Sequence, residues 1–172
     1  MNNSENILRI PKKPTPPQKS EIPLSDLMPL IRDRIAQGQS VRFYPRGISM
    51  LPMLRPGTDS VELSAPPPKL KKYDLPLYQR KDGSFVLHRV VKAKETYCCV
   101  GDNQFRLETG LEHEQIIALV TAFYRADQRH SVREPGYRLY CRLWHAYRRL
   151  RLLWLRVKRK LLYSIHRLPK ER

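Results

Sequence analysis

Apolar residues recur along this chain in two different rhythms, and the changes between them mark out its parts. Leu27, Leu30, Ile31 and Ile35 fall at helical spacing behind Ser25, a residue type that caps helix starts, and Gly38 supplies a stop. From Ser40 the pattern changes to short pieces, VRFYP, SVELS, PLYQR, SFVLHRVV, YCCVG and IIALVTAFY, divided by Gly, Pro, Asp and Asn. That pattern predicts a compact, mainly β domain of class α+β, preceded by a short helix. Lys81-Asp82-Gly83-Ser84 predicts a hairpin turn, and Pro66 to Pro68 a stiff surface loop. Helical spacing returns over 137–168, where Tyr140, Leu143, Tyr147, Leu150, Trp154, Val157, Leu161, Ile165 and Leu168 step by three or four. Arg or Lys fills most of the remaining positions, so a long basic amphipathic helix is expected there. Residues 1–23 are polar and carry five prolines, which predicts an extended, flexible arm. Three parts follow: the arm over 1–23, the β domain with its leading helix over 24–126, and the basic helix over 137–168.

Charge sharpens this division. The 172 residues hold 33 Lys or Arg against 16 Asp or Glu, a formal net charge of +17 with neutral histidines. Residues 137–172 account for 12 of the cations and one acid, so the excess is concentrated at the C-terminal end. Such an excess calls for an anionic partner. The helix over 137–168 suits an anionic membrane surface, since Trp144 and Trp154 lie on or near its apolar side and acids are scarce. Docking on the β domain or on a second copy is the plainer alternative, and nucleic acid fits less well. No apolar run reaches the ~18 residues of a spanning helix, and no apolar secretory segment follows Met1. A cytoplasmic protein is expected, peripheral on the inner face of the membrane if the helix meets lipid. Three cysteines, two of them adjacent, make neither a disulfide framework nor a zinc pattern, and no metal or cofactor is expected.

Three local features carry candidate chemistry: Gly47-Ile48-Ser49-Met50-Leu51-Pro52-Met53-Leu54, then Leu87-His88-Arg89-Val90-Val91, then Val100-Gly101-Asp102-Asn103-Gln104. A serine hydroxyl is a weak nucleophile at neutral pH and needs a base to take its proton, and the base works best when a third group fixes its tautomer. If SFVLHRVV and YCCVG form a hairpin around Ala93 to Thr96, residues numbered to a sum of about 190 face each other, which sets His88 across from Asp102. Strand alternation then places His88 on one face with Val86 and Val90, and Arg89 on the other with Leu87 and Val91. Taken alone, a His–Asp pair reads first as a structural histidine bonded to a turn; the serine box changes that reading. Pro45 and Gly47 bend the chain before Ser49 and Pro52 holds it afterwards, which leaves the Ser49 N–H available to an oxyanion. Met50 is expected to be an apolar plug, and Arg46, Arg55 and Arg89 solvated surface charges.

The run PRGISMLPMLRPG, the later YDLPLYQRKDGSFVLHRVV and the GDNQ together resemble the signal peptidase I superfamily of serine peptidases, which includes the LexA-like self-cleaving proteins. The similarity covers about residues 40–122. His88, where other members carry lysine, places it with the histidine-base type of archaea, the endoplasmic reticulum and spore-formers, here without the membrane anchor. The resemblance implies a partly open β-barrel-like catalytic domain and an acyl-enzyme mechanism with Ser49 as nucleophile, His88 as base and Asp102 as third catalytic residue. It assigns Asp74 a structural place. The function expected is a serine endopeptidase acting on a peptide or precursor protein. The alternative is a non-catalytic module on the same fold that binds membrane, nucleic acid or protein.

Overall fold

A proline, not the expected serine, starts the first helix. The computed structural model describes residues 23–166, and their side chains except at 149, 152 and 155–166. The arm expected over 1–23 therefore lies outside the described residues but for its last position, as do 167 and 168 of the expected helix. Helix α1 spans Leu24–Ala36 and is entered from Pro23, whose fixed φ leads into the first turn, while Ser25 donates to the Asp26 carboxylate at 3.0 Å. Met28, Ile31 and Ile35 form its buried side. Leu30, expected in that row, is exposed because Met28 takes the inward place. Gly38 ends the helix with a φ of 75°, its N–H on the Ile35 carbonyl at 2.9 Å.

Nine short strands follow: β1 (Val41–Phe43), β2 (Ser60–Ser64), β3 (Pro76–Gln79), β4 (Phe85–Leu87), β5 (Arg89–Ala93), β6 (Tyr97–Val100), β7 (Glu108–Leu111), β8 (Ile116–Arg125) and β9 (Gln128–Ser131). All pairings are antiparallel. A six-stranded sheet runs β1-β2-β8-β3-β4 with β9 also on β8, and a three-stranded sheet runs β5-β6-β7. The protein is thus mainly β, with two open sheets and two helices among the described residues. The expected turn at Lys81 to Ser84 joins β3 to β4, with Gly83 at a φ of 85°.

Two sequence expectations change here. The single strand expected over 84–91 breaks at His88, so that β4 belongs to the large sheet and β5 to the small one. Leu87, His88, Arg89 and Val90 are all buried. The alternation of faces fails because a chain crossing between two sheets is covered on both sides. The domain end expected at 126 instead falls inside a hairpin: β8 and β9 are joined by Ala126 and Asp127, at φ 47° and 62°, with Arg125 paired to Gln128.

Helix α2, Pro135–His166, follows β9 after a short link. Its first turns belong to the domain, since Tyr137 and Cys141 join the main core with Met28, Ile31, Val61, Leu63, Leu77 and Val120. A smaller core of Leu70, Tyr78, Val90, Tyr97, Cys99, Leu111 and Ile116 covers the three-stranded sheet. Cys98, Cys99 and Cys141 are buried and free, and burial pushes the Cys99 thiol up to about 12. No described helix is long and apolar enough to cross a membrane.

Candidate active site

Ser49 sits where the chain leaves β1 and turns into the core. Gly47, at a φ of 82°, makes a bend that a side chain would oppose. The turn then closes through Leu51 N–H on the Ile48 carbonyl at 3.2 Å and Leu54 N–H on the Met50 carbonyl at 3.0 Å. Met50, Met53 and Leu54 plug it into the main core and leave Ser49 half-buried at the rim. Asn103 pins the turn from the other side, its N–H on the Ser49 carbonyl at 2.8 Å and its amide on the Ile48 carbonyl at 3.2 Å.

His88, at the break between β4 and β5, is 2% exposed. Its Nδ1 lies 3.0 Å from Glu108 Oε1 and 3.3 Å from the Tyr78 hydroxyl, which itself donates to Glu108 Oε2 at 2.9 Å. Arg80 donates to both oxygens of the same carboxylate, from Nε at 2.8 Å and from Nη2. Burial pushes the Glu108 pKa up, but the Arg80 and Tyr78 bonds and the nearby imidazole hold it below the usual carboxylate value. At His88, by contrast, burial dominates and holds the pKa below the ordinary imidazole value, although Glu108 pulls the other way. With two oxygens at Nδ1, the neutral ring carries its proton there and leaves Nε2 free to accept one.

That free nitrogen faces the serine turn across Gly101. A Cβ placed on Gly101 would stand 2.6 Å from the Ser49 carbonyl oxygen and 3.0 Å from His88 Nε2. Only a glycine fits between them. Ser49 and His88 line one cavity of about 220 Å³, together with Pro45, Gly47, Phe85 and Gln104. They share its wall without a direct hydrogen bond, a looseness familiar in unliganded sites.

The third sequence candidate is engaged elsewhere. β5 and β6 keep the expected register near their turn, Lys92 with Cys98 and Ala93 with Tyr97. A bulge between Val90 and Lys92 shifts it by one residue beyond, to Val90 with Cys99 and Arg89 with Val100, so that Gly101 rather than Asp102 comes beside His88. Asp102 instead accepts Arg89 Nε at 2.8 Å and Nη2 at 2.7 Å, and the Tyr140 hydroxyl at 3.2 Å. Its backbone carbonyl takes the Trp144 indole N–H at 2.9 Å. Arg89 also donates to the Tyr137 hydroxyl at 2.8 Å and to the Cys141 sulfur at 3.0 Å. At 2% exposure Arg89 is a buried clamp between the loop after β6 and α2, not the solvated charge its sequence setting suggested. Arg55 pairs with fully buried Asp59 at 2.9 Å, while the Asp74 carboxylate accepts the Lys71 N–H at 2.7 Å within its own turn.

No family model, curated protein or solved structure matches this chain. The chemistry is therefore read from these side chains themselves. Glu108, Tyr78 and Arg80 were not singled out in the sequence: Glu108 lies on β7, a strand with no alternating signal, and meets His88 only because β7 pairs with β6. Among the described residues no three His, Cys, Asp or Glu converge to hold a metal ion.

Proposed function

We propose that this protein is a serine endopeptidase that cuts a peptide or precursor protein through an acyl-enzyme, with Ser49 as nucleophile, His88 as base and Glu108 as the group that orients and steadies the imidazole. One observation carries the reading: His88 has Glu108 at Nδ1 and turns Nε2, across Gly101, toward the serine turn in a shared cavity.

In the first step Ser49 Oγ attacks the scissile carbonyl carbon as His88 Nε2 takes the hydroxyl proton. The imidazolium formed lies beside the Glu108 carboxylate, and the Ser49 N–H meets the oxyanion. The tetrahedral adduct collapses, the C–N bond breaks, and His88 returns the proton to the departing amine. Water, deprotonated by the same nitrogen, then releases the acyl group and restores the serine. β1 and β4, the outer strands of the six-stranded sheet, both lead to the cavity wall, so an extended substrate can reach it by pairing with a strand edge.

The test is profiling of new peptide N termini in cell extract with membranes, after incubation with the protein or with its Ser49→Ala variant. Termini that appear only with the unaltered protein support the peptidase. Identical profiles from two folded proteins favour the binding module instead.

A further inference from the structure

We propose that α2 docks the protein on an anionic lipid bilayer, its outward side entering the headgroup region and the cationic cavity at its flank receiving lipid phosphates. This goes beyond the peptidase reading and does not depend on it.

The helix has two unlike sides. Tyr137, Cys141 and Arg148 are buried against the domain. At 100° per residue the opposite side carries Leu139, Leu143, Leu150 and Leu153, which are 56%, 62%, 66% and 58% exposed, with Tyr147 and Trp154 beside them. No polar group interrupts this row of leucines on the ridge farthest from the domain. Residues 135–166 contain nine Arg or Lys and no acid. Arg138 and Arg142 run along one edge of the leucine row, and both also line a cavity of about 860 Å³ where this flank of the helix meets the domain. Lys69, Lys71, Lys72 and Arg133 line it too, and the single carboxylate in its wall, Asp74, is already engaged by the Lys71 N–H. Among the described residues Lys69, Arg133, Arg138 and Arg142 form no ion pair.

Charge complementarity selects the occupant. A second copy brings the same cations against these, which like-charge repulsion disfavours. Nucleic acid is gripped through cations and hydrogen-bond donors at the contact surface, whereas leucines hold the outermost ridge here. A bilayer with anionic headgroups meets both features together: apolar side chains sink into the acyl boundary while cations stay at phosphate level.

The test is co-sedimentation of the full chain with phosphatidylcholine vesicles, with and without phosphatidylglycerol. Expected are binding only to the anionic vesicles, weakening as salt rises, and a loss of about tenfold or more in the paired variant L143D/L150D. Its melting temperature should stay unchanged, because those leucines lie outside the core. R138E/R142E should lose binding as well, and Ser49→Ala should bind as the unaltered protein does. Equal binding to neutral vesicles, absence of binding, or full binding by L143D/L150D overturns the proposal. So does a leucine-independent grip on inorganic polyphosphate or duplex DNA that exceeds vesicle binding, or a dimer in sedimentation velocity that L143D/L150D dissociates.

Discussion

His88 and Glu108 face each other at 3.0 Å across the junction of the two sheets, while the residue after His88, Arg89, turns the other way and holds Asp102. Neighbours in sequence thus serve two different carboxylates. The division predicts two different phenotypes. Glu108→Gln should lower kcat by about a hundredfold or more, because the imidazolium loses its counter-charge. Its melting temperature should fall only modestly, since Arg80 is partly exposed to solvent and the amide oxygen still accepts from Tyr78. Asp102→Asn leaves the buried Arg89 guanidinium poorly paired and should destabilise by about 3–5 kcal/mol. Turnover of the folded fraction is retained. Steady-state kinetics beside thermal melts separate the two, and a reversal of the pattern would return Asp102 to the catalytic role.

The acid side of the rate profile should lie lower than an ordinary histidine would set it. Burial lowers the His88 pKa, so the ring remains neutral and able to accept a proton into more acidic solution. Activity should fall only as pH drops below the usual imidazole range. Glu108 raises this pKa, so Glu108→Gln should move the limb lower still while reducing the plateau. A kcat/KM profile across the acid range checks both signs; a limb above the ordinary imidazole value contradicts the burial argument.

Gly101→Ala should damage the site more than the fold. The added methyl meets the Ser49 carbonyl at 2.6 Å and His88 Nε2 at 3.0 Å, and relief pushes Ser49 and His88 apart. A loss of about a hundredfold in kcat is expected from such a displacement. Near-normal activity in this variant would mean that His88 and Ser49 do not work as a pair.

Glu62 predicts an acid-labile sheet. Arg129 bonds its carboxylate at 2.9 and 2.7 Å, and Tyr124 and Thr121 add to it, which lowers its pKa to about 2. A folded pKa below the unfolded one contributes stability that is fully present above the ordinary carboxylate range and is lost as pH falls toward about 2. Glu62→Gln should therefore be less stable at neutral pH and show a flatter fall in melting temperature through that window.

Much of this fold is legible in the residues, and the exceptions have physical causes. The hairpin at Lys81 to Ser84 announces itself through Asp82-Gly83, but the β8–β9 hairpin turns on Ala126 and Asp127, so that no glycine marks its positive φ. The strand break at His88 is invisible because no glycine, proline or turn residue marks it: Val86-Leu87 before it and Arg89-Val90-Val91 after it read as one continuous strand. In the site, Ser49 and His88 stand out by type and box, and they share one cavity. Glu108 does not stand out, since its place depends on a three-strand register. The expected hairpin register holds at Lys92–Cys98 and Ala93–Tyr97. A bulge between Val90 and Lys92, which no glycine announces, shifts it by one residue, enough to bring Gly101 beside His88 and turn Asp102 to Arg89.

The most direct test of the peptidase reading is acid-quenched mass spectrometry of the protein mixed with a peptide it cuts. An acyl group should appear on the peptide bearing Ser49, and Ser49→Ala should show neither the adduct nor cleavage while melting as the unaltered protein does. Undiminished cleavage by Ser49→Ala, with no mass added at Ser49, would contradict the account.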